Sequence, residues 1–270
     1  MLKSNPHGGL VARTSDHGRK TSNIPFRIDL AGGWLDQPFV SKVCPGPVLT
    51  VSVEPTMEFE RRSGMATSTR NRAIEIWGQD VPTGQERETL ARLLFCYDNP
   101  PETEEVSGSQ DAIGIVYPGL ACSWYQGGYF PSKIDSYTDT NLLTWIQDHI
   151  RLIRIGPRRD GYRALEGGVV SFGAAKSLAS ASAKCLQGIL ARDLERFGSS
   201  VRESFEAQVE MFPRMVEGCQ DTINAYKSAR GVVGWKLTGA GGGGYLVIVG
   251  DEEVEGSLTV EIRQERPEQR

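Results

Sequence analysis

A chain of 270 residues has room for one large domain or two small ones with an ample core. Its net charge of −4 gives no global basic field, which speaks against a surface built for nucleic acid or anionic membrane, and no stretch approaches the roughly 20 apolar residues of a membrane span. The five cysteines (Cys44, Cys96, Cys122, Cys185, Cys219) form no C-x-x-C pair, and only His149 lies beyond the polar N-terminus, so disulfide frameworks, zinc sites and Ser-His-Asp chemistry are disfavoured and reduced thiols in a cytoplasm are expected.

Residues 1–21 are polar, have no apolar core and are expected to form a disordered lead-in. Ile24–Ala31 alternates apolar residues with Arg27 and Asp29, which predicts a strand ended by Gly32-Gly33. Further strands are predicted at Val48–Val53, around Phe59–Arg61 and at Ala73–Trp77. Glu86–Tyr97 places Leu90, Leu93, Leu94 and Tyr97 on one helical face, and Asn99-Pro100-Pro101 stops that helix. Ile113–Tyr117 fits either helix or strand.

Asp139 can cap a helix running to about Asp148, and Arg151–Ile155 alternates as a strand. Ser171–Leu190, Ser199–Met215 and Thr222–Ala229 read as helices, the first two with clear apolar stripes. Strands at Gly231–Leu237 and Tyr245–Val249 flank five glycines, Gly239 and Gly241–Gly244, and Leu258–Ile262 fits a last strand. The domain boundary is placed in 131–148. The organisation is then an N-terminal domain over 22–140, a C-terminal domain over 141–262 and a tail over 263–270.

Three segments carry the chemistry. Glycine is costly to order, so a glycine run held between two strands points to close backbone approach, with bare N–H groups turned toward an anion. Its strand–turn–strand setting fits neither a Rossmann turn nor a P-loop. The second segment, Arg27-Ile-Asp-Leu-Ala-Gly-Gly-Trp-Leu-Asp36, ends in an acid that can accept from vicinal hydroxyls or cap the next segment. The third, Ser107-Gly-Ser-Gln-Asp111, sets small residues before a carboxylate that can act as a general base or as a helix cap. Two smaller clusters have a structural and a ligand-binding reading each. Arg151, Arg154, Arg158, Arg159 and Arg163 can form a solvated face or hold a phosphate, and Trp124, Tyr125 and Tyr129 can pack on a hairpin or stack on a sugar.

Taken in order, these segments resemble the GHMP kinases, closest to the branch with heptose-phosphate kinases and fucokinases. Arg27–Asp36 matches R-[IV]-[DS]-[FL]-A-G-G-x-x-D, Gly108–Asp111 matches G-x-Q-D, and Lys236–Gly244 matches K-x-x-G-A-G-G-G-G. The resemblance implies an α+β, two-domain fold with a ribosomal S5-like N-terminal domain and a ferredoxin-like C-terminal domain. It also implies transfer of a phosphoryl group from ATP, with Mg2+, to a sugar or sugar phosphate. In that reading Asp111 accepts the hydroxyl proton, and Arg27 keeps that carboxylate ionised and neutralises transition-state charge. Asp36 orients sugar hydroxyls over Gly32 and Gly33, while Gly239, Gly241, Gly242 and Gly243 close the floor. The family's middle loop, P-x-x-x-G-L-G-S-S-A, has no counterpart in Gly78–Ser107. Two readings therefore remain. Ser107, Gly108 and Ser109 serve as a minimal phosphate loop of a kinase, or the protein is a degenerate homologue that binds a sugar without turnover.

Overall fold

The computed structural model of the protein describes residues 22–265; the expected lead-in over 1–21 and the end of the tail, 266–270, lie outside them. The chain opens with β1 (Phe26–Ala31), the short α1 (Pro38–Ser41) and β2 (Gly46–Val53), followed by α2 (Thr67–Trp77), α3 (Arg87–Asp98) and α4 (Gln110–Val116). Next come β3 (Leu120–Tyr125), β4 (Lys133–Tyr137), α5 (Thr140–His149) and β5 (Ile150–Gly156). The chain continues with α6 (Phe172–Ala191), α7 (Leu194–Met211), a 3-10 turn at Pro213–Val216, α8 (Gln220–Tyr226), β6 (Val232–Leu237), β7 (Gly244–Gly250) and β8 (Ser257–Leu258). The first four strands form one antiparallel sheet in the order β1-β2-β3-β4, and the last four form a second in the order β6-β7-β5-β8.

Strand β1 is buried on both faces, and this positions the site. Phe26, Ile28 and Leu30 point into a core that also takes Leu142 and Ile146 of α5, Ile150 and Leu152 of β5, Phe197 and Val201 of α7 and Val247 of β7. The opposite face carries Arg27 and Asp29, as period-2 geometry requires. Helices α6 and α7 form a hairpin over both sheets. Ser171 Oγ and Asp193 Oδ1 cap their N-termini by accepting from the Ala174 and Arg196 N–H groups, both at 3.0 Å. Each buried Phe or Leu on these faces contributes roughly 1.5–3 kcal/mol over its exposed state.

Four expectations change, and one reading left open is resolved. Ala73–Trp77 is the second half of α2 rather than a strand; Ala73, Ile74 and Trp77 pack together on the α3–α4 side, a helical spacing that five alternating residues conceal. Phe59–Arg61 is irregular, because Phe59 turns inward to meet the Phe26 and Tyr245 rings at 4.8 and 5.3 Å. Ile113–Tyr117 is helical through Val116. Helix α7 starts at Leu194, behind its Asp193 cap, and ends at Met211 before Pro213. Of Leu258–Ile262 only Leu258 lies in β8, and Ile262 makes a single bridge to Val53.

All five cysteines are free. Burial pushes the Cys122 and Cys185 thiols up to about 12, whereas Cys96 is exposed on α3.

Candidate active site

Arg27 is 2% exposed and ion-pairs with Asp111, in the first turn of α4. Three residues along the same helix face, Gly114 lies against the arginine stem, and any side chain there would collide with Arg27 Cγ. Helix α4 thus offers β1 one smooth groove ending in a carboxylate. Burial lowers the Arg27 pKa, against the pull of Asp29 and Asp36. Its Nε and Nη1 have no hydrogen-bond partner among the described residues. Asp111 keeps 23% of its side chain exposed, toward the cleft.

After β1, Gly32 (φ 82°) and Trp34 (φ 80°) reverse the chain and deliver Asp36, which is 2% exposed. Gly108 packs directly on the Asp36 carboxylate, and the Gln110 N–H donates to it. Burial pushes Asp36 up to about 6, although Arg27 pulls it down. The Gln37 side chain donates to Val106 O at 3.1 Å and ties this turn to the 104–108 loop.

Lys236 is fully buried on β6, and its Nζ donates to Asp29 O at 2.9 Å and to Asp29 Oδ2 at 2.8 Å. The first and third sequence segments therefore meet across the two sheets. Two residues on, Thr238 Oγ1 donates to Ser63 O at 2.5 Å and accepts the Tyr245 N–H at 3.1 Å. Gly64 (φ 76°) and Gly244 (φ 89°) allow this contact, since a Cβ on either would strike the opposing backbone. The Ser63-Gly64 turn runs straight into α2. Ala66 is the N-cap in the left-handed region (φ 57°), no side chain caps the helix, and no acid occupies its first turn. The first amides of α2 thus face outward without intrahelical acceptors, at the positive end of the helix dipole.

These walls enclose a cleft of about 590 Å³. Of the predicted site residues, Arg27, Gly33, Asp36, Ser107, Gly108, Asp111 and Gly239 line it. Gly32 does not; its N–H donates to Ser204 Oγ at 3.0 Å, so it shapes the turn from behind. Ser109 does not either. Its hydroxyl is fully buried between Tyr125 OH (2.8 Å) and Tyr129 O (2.6 Å), which leaves it no phosphate to bind. Gly241, Gly242 and Gly243 also stay outside. The Gly241 and Gly242 N–H groups donate to Thr238 O (3.3 Å) and Met215 O (2.7 Å), Gly242 abuts the Tyr162 ring, and Gly243 lies on Gly156 and Arg158. The run is packed against protein and does not present a row of bare amides.

Sequence reasoning missed the turn at Ser63–Ser68, which lines the cleft, and did not single out Arg158 within its basic cluster. Gly64-Met65-Ala66-Thr67-Ser68 corresponds, position by position, to G-L-G-S-S, with Gly64 and Ser68 identical and a helix following. Ala66 stands where the second glycine is expected and takes the glycine-like conformation. The expectation that Ala73–Trp77 is a strand had placed the loop downstream, in Gly78–Ser107. In the aromatic cluster Trp124 and Tyr125 pack into the core, and only Tyr129 reaches the cleft. In the basic cluster Arg151 bonds local carbonyls and Arg154 pairs with Glu60, while Arg158 and Arg163 line the cleft.

No family model and no curated protein matches the sequence. Solved structures do match its fold. Galactokinase from Lactococcus lactis, complexed with galactose, superposes with a TM-score of 0.60 at 12% identity, covering 89% of this chain and 92% of that one. A mevalonate kinase gives 0.56 at 12% identity, covering 90% and 98%. A putative sugar kinase from Campylobacter jejuni gives 0.54 at 13% identity, covering 89% and 94%. The chain has the two-domain α+β fold of the GHMP kinases. At these identities the likeness is one of fold, and activity has to be argued from the site.

Proposed function

We propose that this cleft transfers the terminal phosphoryl group of ATP to a hydroxyl of a sugar or sugar phosphate. The observation that carries the reading is the Arg27–Asp111 pair, a partly exposed carboxylate held at the cleft by a buried guanidinium. Asp111 takes the hydroxyl proton as the hydroxyl oxygen bonds to phosphorus and the bridging P–O bond yields its electrons to the departing ADP. Arg27 stands beside the charge that develops, and Asp36 accepts from the acceptor's hydroxyls beneath Gly33 and Gly108. The uncapped start of α2, free of acids, suits the nucleotide phosphates, with Gly64, Thr67 and Ser68 nearest. Mg2+ would enter with the nucleotide and screen its charge. The competing reading, a sugar binder without turnover, rested on a lost phosphate loop, and the Gly64–Ser68 turn supports the kinase reading over it.

The test is a thermal-shift and turnover pair. Mg-ATP at millimolar concentration should raise the melting temperature, and a sugar panel should raise it further for the true acceptor. Asp111→Asn should lower kcat by about 10²–10⁴ with the nucleotide shift intact. The absence of any shift with Mg-ATP sinks the kinase reading, and a wild-type rate in the variant removes Asp111 as the base.

A further inference from the structure

Arg158 is a partly buried cation of the cleft that this chemistry leaves without a task. It follows Gly156-Pro157 at the end of β5 and is half-buried. Four arginines around it have acidic partners, while Arg159 and Arg163 are exposed to solvent. Arg27 pairs with Asp111, Arg62 with Asp160, Arg154 with Glu60, and Arg214 with Glu166 and Glu217. Arg158 has no such ion pair among the described residues, and the polar groups that act on it are Tyr162, Arg62 and Cys219.

The glycine run holds this arginine. Arg158 Nε donates to Gly241 O at 2.7 Å. A Cβ on Gly239 would stand 3.0 Å from Arg158 Nη2, and one on Gly243 would stand 2.9 Å from the Arg158 backbone nitrogen. Three of the five glycines thus bond to the arginine or clear space for it. Gly239 also touches Gly64, where a Cβ would come within 2.8 Å of Gly64 Cα, so the guanidinium lies beside the turn that enters α2. Its charge also reaches Arg27. A desolvated cation fixed through one nitrogen and without an anion of its own is costly to keep, unless a ligand brings the anion.

We infer that Arg158 is a phosphoryl clamp. Its free Nη groups bind the terminal phosphate of the nucleotide, between the start of α2 and the Arg27–Asp111 pair, and the glycine run serves to seat the arginine. This rests on the kinase reading above. A phosphate carried by the acceptor offers the same chemistry from another source, but the contact with Gly239 and Gly64 favours the nucleotide.

The test is calorimetric titration of the whole chain with Mg2+ and either adenylyl imidodiphosphate or ADP. Two variants are compared with wild type, Arg158→Ala and Arg158→Gln, the second keeping a donor for Gly241 O. Charge-assisted hydrogen bonds predict about a ten- to hundredfold loss of affinity for the triphosphate analogue in both variants, with ADP within about twofold of wild type. Equal loss for the two nucleotides, or no loss, overturns the assignment. Weakened binding of hexose 1-phosphates with unchanged nucleotide affinities overturns it in favour of the acceptor source. A wild-type chain that binds neither nucleotide brings down the kinase reading itself, a result distinct from all of these.

Discussion

Arg27, Asp29, Asp36 and Lys236 are each no more than 2% exposed; the first three line the cleft, and Lys236 is bonded to Asp29. Burying charge at this density is tolerable only with close partners. The Asp29–Lys236 pair is the most enclosed, so Lys236→Met leaves a carboxylate without its cation. We expect a loss of about 3–5 kcal/mol in urea unfolding, mostly recovered in the Asp29→Asn/Lys236→Met double variant. Asp36 works in the opposite sense. Its folded-state pKa of about 6 lies above the ordinary 3.8, so the native state binds the proton more tightly than the unfolded chain does. The stability this group contributes is present below about pH 4 and declines as pH rises through 6. Asp36→Asn should therefore unfold at higher urea than wild type at pH 8, by on the order of 2 kcal/mol, and the difference should fade toward pH 4. The same titration should set the acid limb of acceptor binding, with KM rising below about pH 6 in wild type and flat in the variant.

At the level of elements, the cleft is assembled where two glycine turns touch. Gly64 cannot accept a side chain, because its Cβ would strike the Thr238 carbonyl and its φ is 76°. Gly64→Ala should cost about 2–4 kcal/mol in thermal or urea unfolding from strain and overlap together, and should weaken nucleotide binding by separating α2 from β6. An unchanged melting temperature would show that the turn yields without cost. Much of this arrangement was legible in the sequence. Arg27, Asp36, Asp111 and Lys236 stand in recognisable strings, and Asp139 announces its helix as a cap. Helix α2 was not legible, because Thr67-Ser-Thr-Arg-Asn-Arg72 has weak helix propensity and Ala73–Trp77 alternates like a strand; packing against α3 and α4 decides it. The turn before α2 was hidden because three of its five residues differ from G-L-G-S-S, Ala66 among them, which breaks the glycine pattern while keeping its conformation. Arg158 was obscured by its neighbours: five arginines in thirteen residues read as a solvated face until the fold separates them.

At the scale of the whole molecule, the first sheet ends with β4 at Tyr137 and the second begins with β5 at Ile150. Their core does not divide there. Phe26, Ile28, Leu49 and Val51 of the first sheet share one cluster with Ile150, Leu152, Val247 and Val249 of the second. A fragment of residues 22–140 would leave that face bare and also lose α6, which packs on β1 and β2. We expect the fragment to lack a cooperative melt, and the full chain to unfold in a single transition with coincident near- and far-UV signals. A folded, monomeric 22–140 fragment would establish independent domains.

The thiols also prescribe an experiment. Cys122, Cys185 and Cys219 are buried, and burial raises all three above the ordinary thiol value, so alkylating reagents meet them slowly. Cys96 is the exposed one, two residues before the end of α3 and just ahead of the 99–108 loop that rests on Asp36. With Cys44 changed to Ser, a maleimide fluorophore should enter at that position alone. Its emission would then report, in real time and without turnover, whether that loop moves when an acceptor settles into the cleft.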